Sequence, residues 1–333
     1  MAAFLSVDES LRFWRSDDPY YCGETVVSPA ENVLLSEAVG RMCDIDHLHL
    51  EEYADADGRL ELLVPDAARR SRSNKLGFRV IGADLPRGSF YRAKRSVYVC
   101  SPELLLILFA EKASIFETIA LGCELCGSYS ARTGGNLKHA ALTCVEAIEE
   151  YLGKVKMLKG AKRCRKALKY IENGSASPRE TDLYMMLCLP SKLRGFGLGG
   201  ALLNDPQEVG RQHRSKTNLK KITPDLLWKG KKVAIEYDSN EYHIDRAGSL
   251  DAGRSRLSND SERRRTYKAM GISVVTVTND EFIDFDEIER IATLLAKLLG
   301  KHGIRRDGIL TLRRQQLHEW LRVPVLERGV PSF

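Results

Sequence analysis

Short apolar runs and turn residues alternate unevenly along the 333-residue chain. Over residues 1–95 the runs are brief and interrupted by Gly23, Pro29, Gly58, Pro65, Gly77, Gly82, Pro86 and Gly88, which predicts an α+β region with little regular periodicity. The pattern changes at "VYVCSPELLLILFAEKAS" (97–114). There a β-like VYVC ends at Ser101, a good N-cap, and Pro102 opens a strongly apolar helix that predicts burial. Residues 115–172 read as mostly helical, broken by a loop at "GSYSARTGGN" (127–136).

"ENGSAS" (172–177) reads as a flexible joint, and the domain boundary is placed there. Beyond it the pattern predicts a helix over 178–188, a glycine-rich loop over 195–200, a basic stretch and two strands in "PDLLWKGKKVAIEYDS" (224–239). A polar insert, a helix over about 251–270, a strand over 273–277 and a helix over about 284–299 follow. This alternation argues for a mixed sheet flanked by helices, an α/β architecture preceded by a largely helical α+β domain. The expected division is 1–172, 173–300 and a basic tail over 301–333.

The two strands carry acids among apolar residues, and a carboxylate inside a protein is costly unless something answers its charge. Side chains alternate along a strand, so Glu236 and Asp238 share a face with Ala234, as Asp225 does with Leu227. If residues 229–232 form a four-residue turn, Trp228 pairs with Val233 and Asp225 stands opposite Glu236. A two-residue turn shifts the register by two and keeps the face. Opposed residues have Cβ atoms roughly 4.5–5.5 Å apart. Two outcomes are open: a hard divalent cation, Mg²⁺ above all, lies between the carboxylates, or the acids sit on an open face and pair with Lys231 or Lys232.

With 43% hydrophobic and 29% charged residues, the composition is that of an ordinary globular protein large enough for two domains. "MAAFLSVDES" lacks the features of a secretory signal, and the longest apolar stretch, Leu104 to Ala110, is too short to span a bilayer. A cytoplasmic, non-membrane protein with reduced thiols is therefore expected. Cys123 and Cys126 lack a second ligand pair at zinc-site spacing and read as buried helix cysteines. "GFGLGG" (195–200) lacks the Gly-Lys-Ser/Thr of a phosphate loop and reads as a bend close to the sheet.

Net charge is +6, but its distribution matters more: basic residues cluster over 154–169, 211–221, 254–268 and 305–328. Two of these runs flank the acids, and phosphate contacts are expected from Lys220, Lys221, Arg263 and Arg264. Asp260 and Glu262 interrupt that run, as a solvated helix face would. The helix expected over 154–170 reads either as a second nucleic-acid surface or as a basic amphipathic helix.

Pro224-Asp225, ten residues, then Glu236-Tyr237-Asp238 resembles the PD-(D/E)xK nuclease signature in its Vsr-like (very-short-patch-repair) form. His243, Asp260, Arg263, Gly271 and "SVVTVT" (273–278) follow in that family's order, and the resemblance covers about residues 173–300. It implies a restriction-endonuclease-like fold and a metal-dependent endonuclease of the cytoplasm, DNA being the favoured substrate. The metal would be Mg²⁺, with Mn²⁺ able to substitute, held by Asp225, Glu236 and the first-helix Glu180. Asp238 takes the place of the signature lysine, an acid being usual there in Vsr-like enzymes, and His243 is the candidate proton shuttle unless it is a surface histidine of the polar loop.

Glu180 has two readings. Ser177, Pro178 and Glu180 make a capping box, yet Glu180 also falls on the helical stripe of Leu183, Tyr184 and Leu187. Residues 97–189 resemble the centre of AbiE-type antitoxins, although no winged helix-turn-helix is evident over 1–95. That likeness implies a phage-defence or toxin–antitoxin setting, with a homodimer or a defence-system protein as partner. The rival function is a non-catalytic DNA-binding or antitoxin-like regulator that keeps the fold. Retention of all the expected acids argues against a decayed site.

Overall fold

The computed structural model describes residues 2–16, 21–22, 25–26, 35–38, 48–71, 74–82, 84–132, 136–238 and 250–331, with the backbone alone at 21–22, 25–26, 37, 137 and 250–259. The chain forms two compact units, 1–171 and 172–333.

In the first unit, β1 (Ala3–Phe4) leads into α1 (Val7–Trp14). The strands β2 (Tyr21–Cys22), β3 (Thr25–Val26), β4 (Leu60–Val64), β5 (Leu76–Val80), β6 (Phe90–Lys94) and β7 (Val97–Cys100) follow. The central β7 pairs parallel with β1 and antiparallel with β6, while β4 and β5 form a parallel pair and β2 and β3 an antiparallel one. Ser101 then caps α2 (Pro102–Phe109), its hydroxyl accepting the Leu104 N–H at 3.3 Å, and residues 104–108 are buried.

The helices α3 (Ile115–Leu125), α4 (Val145–Lys154) and α5 (Ala161–Leu168) complete the unit. The loop expected over 127–136 contains a strand, β8 (Tyr129–Ser130), which pairs with β9 (Leu137–Lys138). Ser130 is buried and donates to the Trp14 carbonyl at 3.2 Å, so tertiary contacts hold two-residue strands that local propensity does not mark. Gly160, at φ +89°, starts α5 flush against α2: a Cβ there would lie 2.0 Å from the Ile107 carbonyl oxygen.

The second unit opens with α6 (Pro178–Cys188) and continues with β10 (Leu202–Leu203), β11 (Gln207–Glu208), β12 (Lys221–Ile222), β13 (Leu226–Trp228) and β14 (Val233–Asp238). Then come α7 (Leu250–Met270), β15 (Ser273–Thr278), α8 (Asn279–Ile283), α9 (Phe285–Leu298) and α10 (Gly308–Arg322). A four-stranded mixed sheet runs β10-β13-β14-β15, with β14 and β15 parallel and the other pairs antiparallel. Ile222, Leu227, Ala234 and Tyr267 form a core against which Met270, Ile272 and Val274 pack, so α7 covers the Leu227/Ala234 face of the sheet.

Residues 301–333, expected as a basic tail, are corrected to a structural part of this unit. In α10, Arg314, Leu317, His318 and Leu321 fall on one face and are buried. The Arg314 guanidinium lies 4.8 Å from the Phe196 ring and donates to the Arg305 carbonyl at 2.8 Å. His318 Nε2 bonds to the Phe282 carbonyl at 2.6 Å, and burial lowers its pKa. The single helix expected from about 284 is preceded by α8, because Thr278 and Glu281 form a capping box there and Asp284 then caps α9.

Candidate functional site

Trp228 pairs with Val233 and Leu226 with Ile235, across residues 229–232. This is the register expected for a four-residue turn, and it continues to set Asp225 against Glu236. Pro224 has no N–H to give, and the pairing of β13 with β14 stops at Leu226. The Asp225 carboxylate takes over: its Oδ2 accepts the Tyr237 N–H at 2.6 Å.

β14 is buried from Val233 to Ile235 and half-exposed from Glu236 to Asp238, so the strand leaves the core where its acids begin. Leu227 and Ala234 lie under α7, and the acids extend the same rows of side chains beyond that apolar cover. From α7, Arg263 Nη2 donates to Glu236 Oε1 at 2.5 Å and to the Thr223 carbonyl at 3.1 Å. The Tyr267 hydroxyl donates to the same Glu236 oxygen. Arg263 and Tyr267 are four apart, hence neighbours on one helical face. The cation that meets Glu236 thus comes from α7, whereas one of the two open outcomes draws it from Lys231 or Lys232. Burial works to lower the Arg263 pKa, but Glu236 overrides it and the net shift is upward.

Glu180 is buried at the start of α6. Its Oε1 accepts the Ser177 hydroxyl at 3.0 Å, its Oε2 accepts the Ala176 N–H at 2.9 Å, and Ser177 Oγ accepts the Glu180 N–H at 3.2 Å. The same Oε2 also accepts the Asn204 amide at 2.5 Å, while the Asn204 N–H donates to the Asp225 carbonyl at 3.0 Å. Asn204 therefore ties Glu180 to the segment bearing Asp225, while Ser177 caps α6 and the Glu180 side chain answers the Ala176 N–H, one residue before the cap.

Electrostatics record the convergence. Burial raises the Asp225 carboxyl, and the neighbouring Glu180 and Glu236 carboxylates raise it further, to about 8; the Tyr237 N–H and Arg263 oppose the shift. Glu180 and Glu236 both act on Asp225, and Arg263 offsets them only in part, which leaves a negative centre.

Such oxygen donors, with a net negative charge and an Asp225 whose ionised form is disfavoured, fit a hard divalent cation. As the side chains stand, no group of three His, Cys, Asp or Glu residues among the described ones is gathered round a single point. Glu236 is turned onto Arg263 and Tyr267 instead, so taking up a cation requires Glu236 to exchange those contacts.

The other expected residues are placed as follows. Asp238 ends β14, half-exposed, opposite Thr278 of β15. His243 lies outside the described residues. Lys220, Lys221 and Arg264 are exposed, whereas Arg263, expected to meet phosphate, is directed at Glu236. Glu262, which interrupts the basic run, plays a structural part, since its Oε1 accepts the Asn218 N–H at 2.6 Å and the Thr217 hydroxyl at 2.8 Å, fastening the 211–221 segment to α7.

Asn204 and Tyr267 are the residues that sequence reasoning missed. Asn204 has φ +48°, and the Asn-Asp-Pro run it opens is a turn signal of the type Asn favours. Tyr267 was detectable only through its i+4 spacing from Arg263.

Comparison of the chain with protein-family models, with characterised proteins and with solved structures finds no match.

Proposed function

We propose that the second unit is a divalent-metal-dependent endonuclease domain that hydrolyses phosphodiester bonds of nucleic acid, DNA foremost. The observation that carries this reading is the approach of Glu180, Asp225 and Glu236 from three separate segments, with Asp225 driven up to about 8 by burial and by the other two. A structural ion pair does not need three carboxylates.

Asp225, Glu236 and Glu180 would hold Mg²⁺ or Mn²⁺, which when bound supplies a Lewis acid for the phosphoryl oxygen and a more acidic water. The protein's own contribution is arrangement. Asn204 and Ser177 orient Glu180 and the Tyr237 N–H orients Asp225, while Arg263 and Tyr267 hold Glu236 and would have to give it up to an arriving cation. Asp225 can keep a proton near neutral pH and release it when positive charge arrives. Exposed Lys220, Lys221 and Arg264 are suited to phosphates, which they would position without reading bases. No helix among the described residues is long and apolar enough to cross a membrane.

The test is cleavage of supercoiled plasmid, linear duplex, and single-stranded DNA and RNA with Mg²⁺ or Mn²⁺, comparing wild type with Asp225→Asn and Glu236→Gln. Metal-dependent cutting lost in both variants supports the reading. The second reading, a non-catalytic nucleic-acid-binding regulator, draws on the Arg263 contact, which answers Glu236 without a metal. Binding without cutting, unchanged in both variants, would select it.

A further inference from the structure

The first unit carries its densest positive charge from the end of α4 through α5. Residues 154–171 contain eight basic residues and no acid. The structure divides these eight into two groups.

The two arginines are folded onto backbone carbonyls, Arg165 half-buried and Arg163 exposed. Arg163 Nη1 donates to the carbonyls of Ala110, Glu111 and Ala113 at 3.0, 3.1 and 2.5 Å, closing the chain that leaves the C-terminus of α2. Arg165 Nη2 donates to the Leu152 carbonyl at 2.8 Å. These guanidiniums hold α5 in place.

The lysines are turned outward. Lys162, Lys166 and Lys169 share one exposed face of α5 and its end, opposite the buried Ala161, Cys164 and Ala167. Lys156 and Lys159 project from the turn before it, where Met157 is 92% exposed. Among the described residues, acids offset only two of these charges: Lys154 meets Glu150 at 2.7 Å, and Lys159 lies 3.9 Å from Glu111, which Arg79 already binds. Lys156, Lys162, Lys166 and Lys169 have no ion pair among the described residues. Lys162, Arg163 and Lys166 also line a hollow of about 580 Å³ with Ser114, Ile115 and Glu111.

We propose that this lysine face binds the phosphate backbone of nucleic acid, as a site separate from the acids of the second unit. It rests on the nucleic-acid reading above only for the choice of polyanion. Lysine suits such a surface because it offers a strongly hydrated point charge on a flexible stem, which tracks a backbone without demanding bidentate geometry. A surface built only for solubility would carry interspersed acids. The exposed Met157 adds an apolar contact for a sugar or a base.

The experiment is equilibrium binding of the full-length chain to fluorescent duplex DNA and single-stranded RNA in EDTA, across a salt series. Wild type is compared with Lys156→Gln/Lys162→Gln/Lys166→Gln/Lys169→Gln, with Arg165→Gln, and with Asp225→Asn. The quadruple variant should bind at least about ten-fold more weakly near 0.1 M salt, and the slope of log K against log salt should become shallower by about 3. Arg165→Gln, which removes the contact to the Leu152 carbonyl, should lower thermal stability and leave that slope nearly unchanged. Asp225→Asn should retain the lysine-dependent slope even if metal-dependent cleavage is never found, which separates failure of this site from failure of the nuclease reading. Unchanged affinity and slope in the quadruple variant would overturn the proposal. So would lysine-dependent binding to phosphatidylserine vesicles with none to either nucleic acid.

Discussion

Arg263 Nη2 lies 2.5 Å from Glu236 Oε1, joining the middle of α7 to the strand end where the acids cluster. The arginine is the cation nearest the cluster's own charge, and it also holds down the Asp225 carboxyl. Replacing it with methionine keeps much of the packing volume and removes the charge. Arg263→Met should lower stability at pH 8 by about 1–2 kcal/mol, since the pair is partly solvent-exposed, and should raise the Asp225 pKa further. Urea denaturation and ¹³C-carboxyl NMR check the two halves. Tyr267→Phe, which removes one donor and no charge, should cost about 1 kcal/mol or less.

The Asp225 shift fixes a pH dependence. The folded protein holds this proton up to about pH 8, whereas an unfolded chain releases it near pH ~4. Between those values the native state binds more protons, so stability falls as pH rises. The contribution is fully present below about pH 4 and lost by about pH 8. Asp225→Asn should flatten this part of the profile and make the variant more stable than wild type at pH 8 by about 1–3 kcal/mol, the half-buried site being partly screened. Urea midpoints from pH 5 to 8.5 measure it, and an equal slope in both proteins would contradict the assignment. Added Mg²⁺ should raise the wild-type midpoint at pH 8 more than the variant's.

Glu180 meets the cap residue Ser177 and also raises the Asp225 carboxyl, and two substitutions separate those effects. Ser177→Ala removes a hydroxyl that accepts the Glu180 N–H and should cost about 1 kcal/mol. It should leave the titration of Asp225 nearly where it was. Glu180→Gln removes a negative neighbour and should lower the Asp225 pKa detectably. If Ser177→Ala moved that titration as far as Glu180→Gln does, the two roles would not be separable.

Much of the second unit could be read from the chain because its signals are local. Ser177 and Pro178 start α6, and the 229–232 turn sets the register of Asp225 against Glu236. What could not be read depends on partners distant in sequence. Arg263 looks like part of a phosphate-binding run until α7 lies across β14, and Asn204 has no visible role until its amide reaches Glu180. The buried face of α10 is hidden in sequence because Arg314 occupies a position in its stripe, where a charged residue hides the apolar period. Tyr129 and Ser130 are strand only because β9 pairs with them.

The start of α5 offers a prediction about the first unit. Gly160 has φ +89° and a potential Cβ 2.0 Å from the Ile107 carbonyl oxygen and 2.9 Å from the Glu111 N. Gly160→Ala therefore meets both an unfavourable backbone conformation and a backbone clash that no rotamer relieves. A loss of about 2–4 kcal/mol is expected, with α5 displaced from α2. Gly153→Ala, a helical glycine with open space at its Cβ, is the control and should be neutral or stabilising by about 0.5–1 kcal/mol.

The last prediction concerns the chain beyond α10. Arg328 Nη2 meets Asp182 Oδ2 at 2.5 Å, and both side chains are almost wholly buried. Burial raises the Asp182 pKa, against the pull of Arg328 and then of Arg179. Arg179 lies 3.5 Å from the same oxygen and also donates to the Leu321 and Arg322 carbonyls. Ending the chain after Arg322, or making Arg328→Met, leaves a buried carboxylate with one weaker partner. Either change should destabilise the protein by about 3 kcal/mol near neutral pH. The loss should shrink in acid, because a protonated Asp182 needs no counter-charge. Asp182→Asn added to Arg328→Met should recover part of the loss at pH 7 and little at pH 4.5. Thermal melts at the two pH values decide it: a full-sized loss that persists at low pH would mean that Arg328 acts through its packing on Trp320, 5.0 Å from that ring's centre, rather than through its charge.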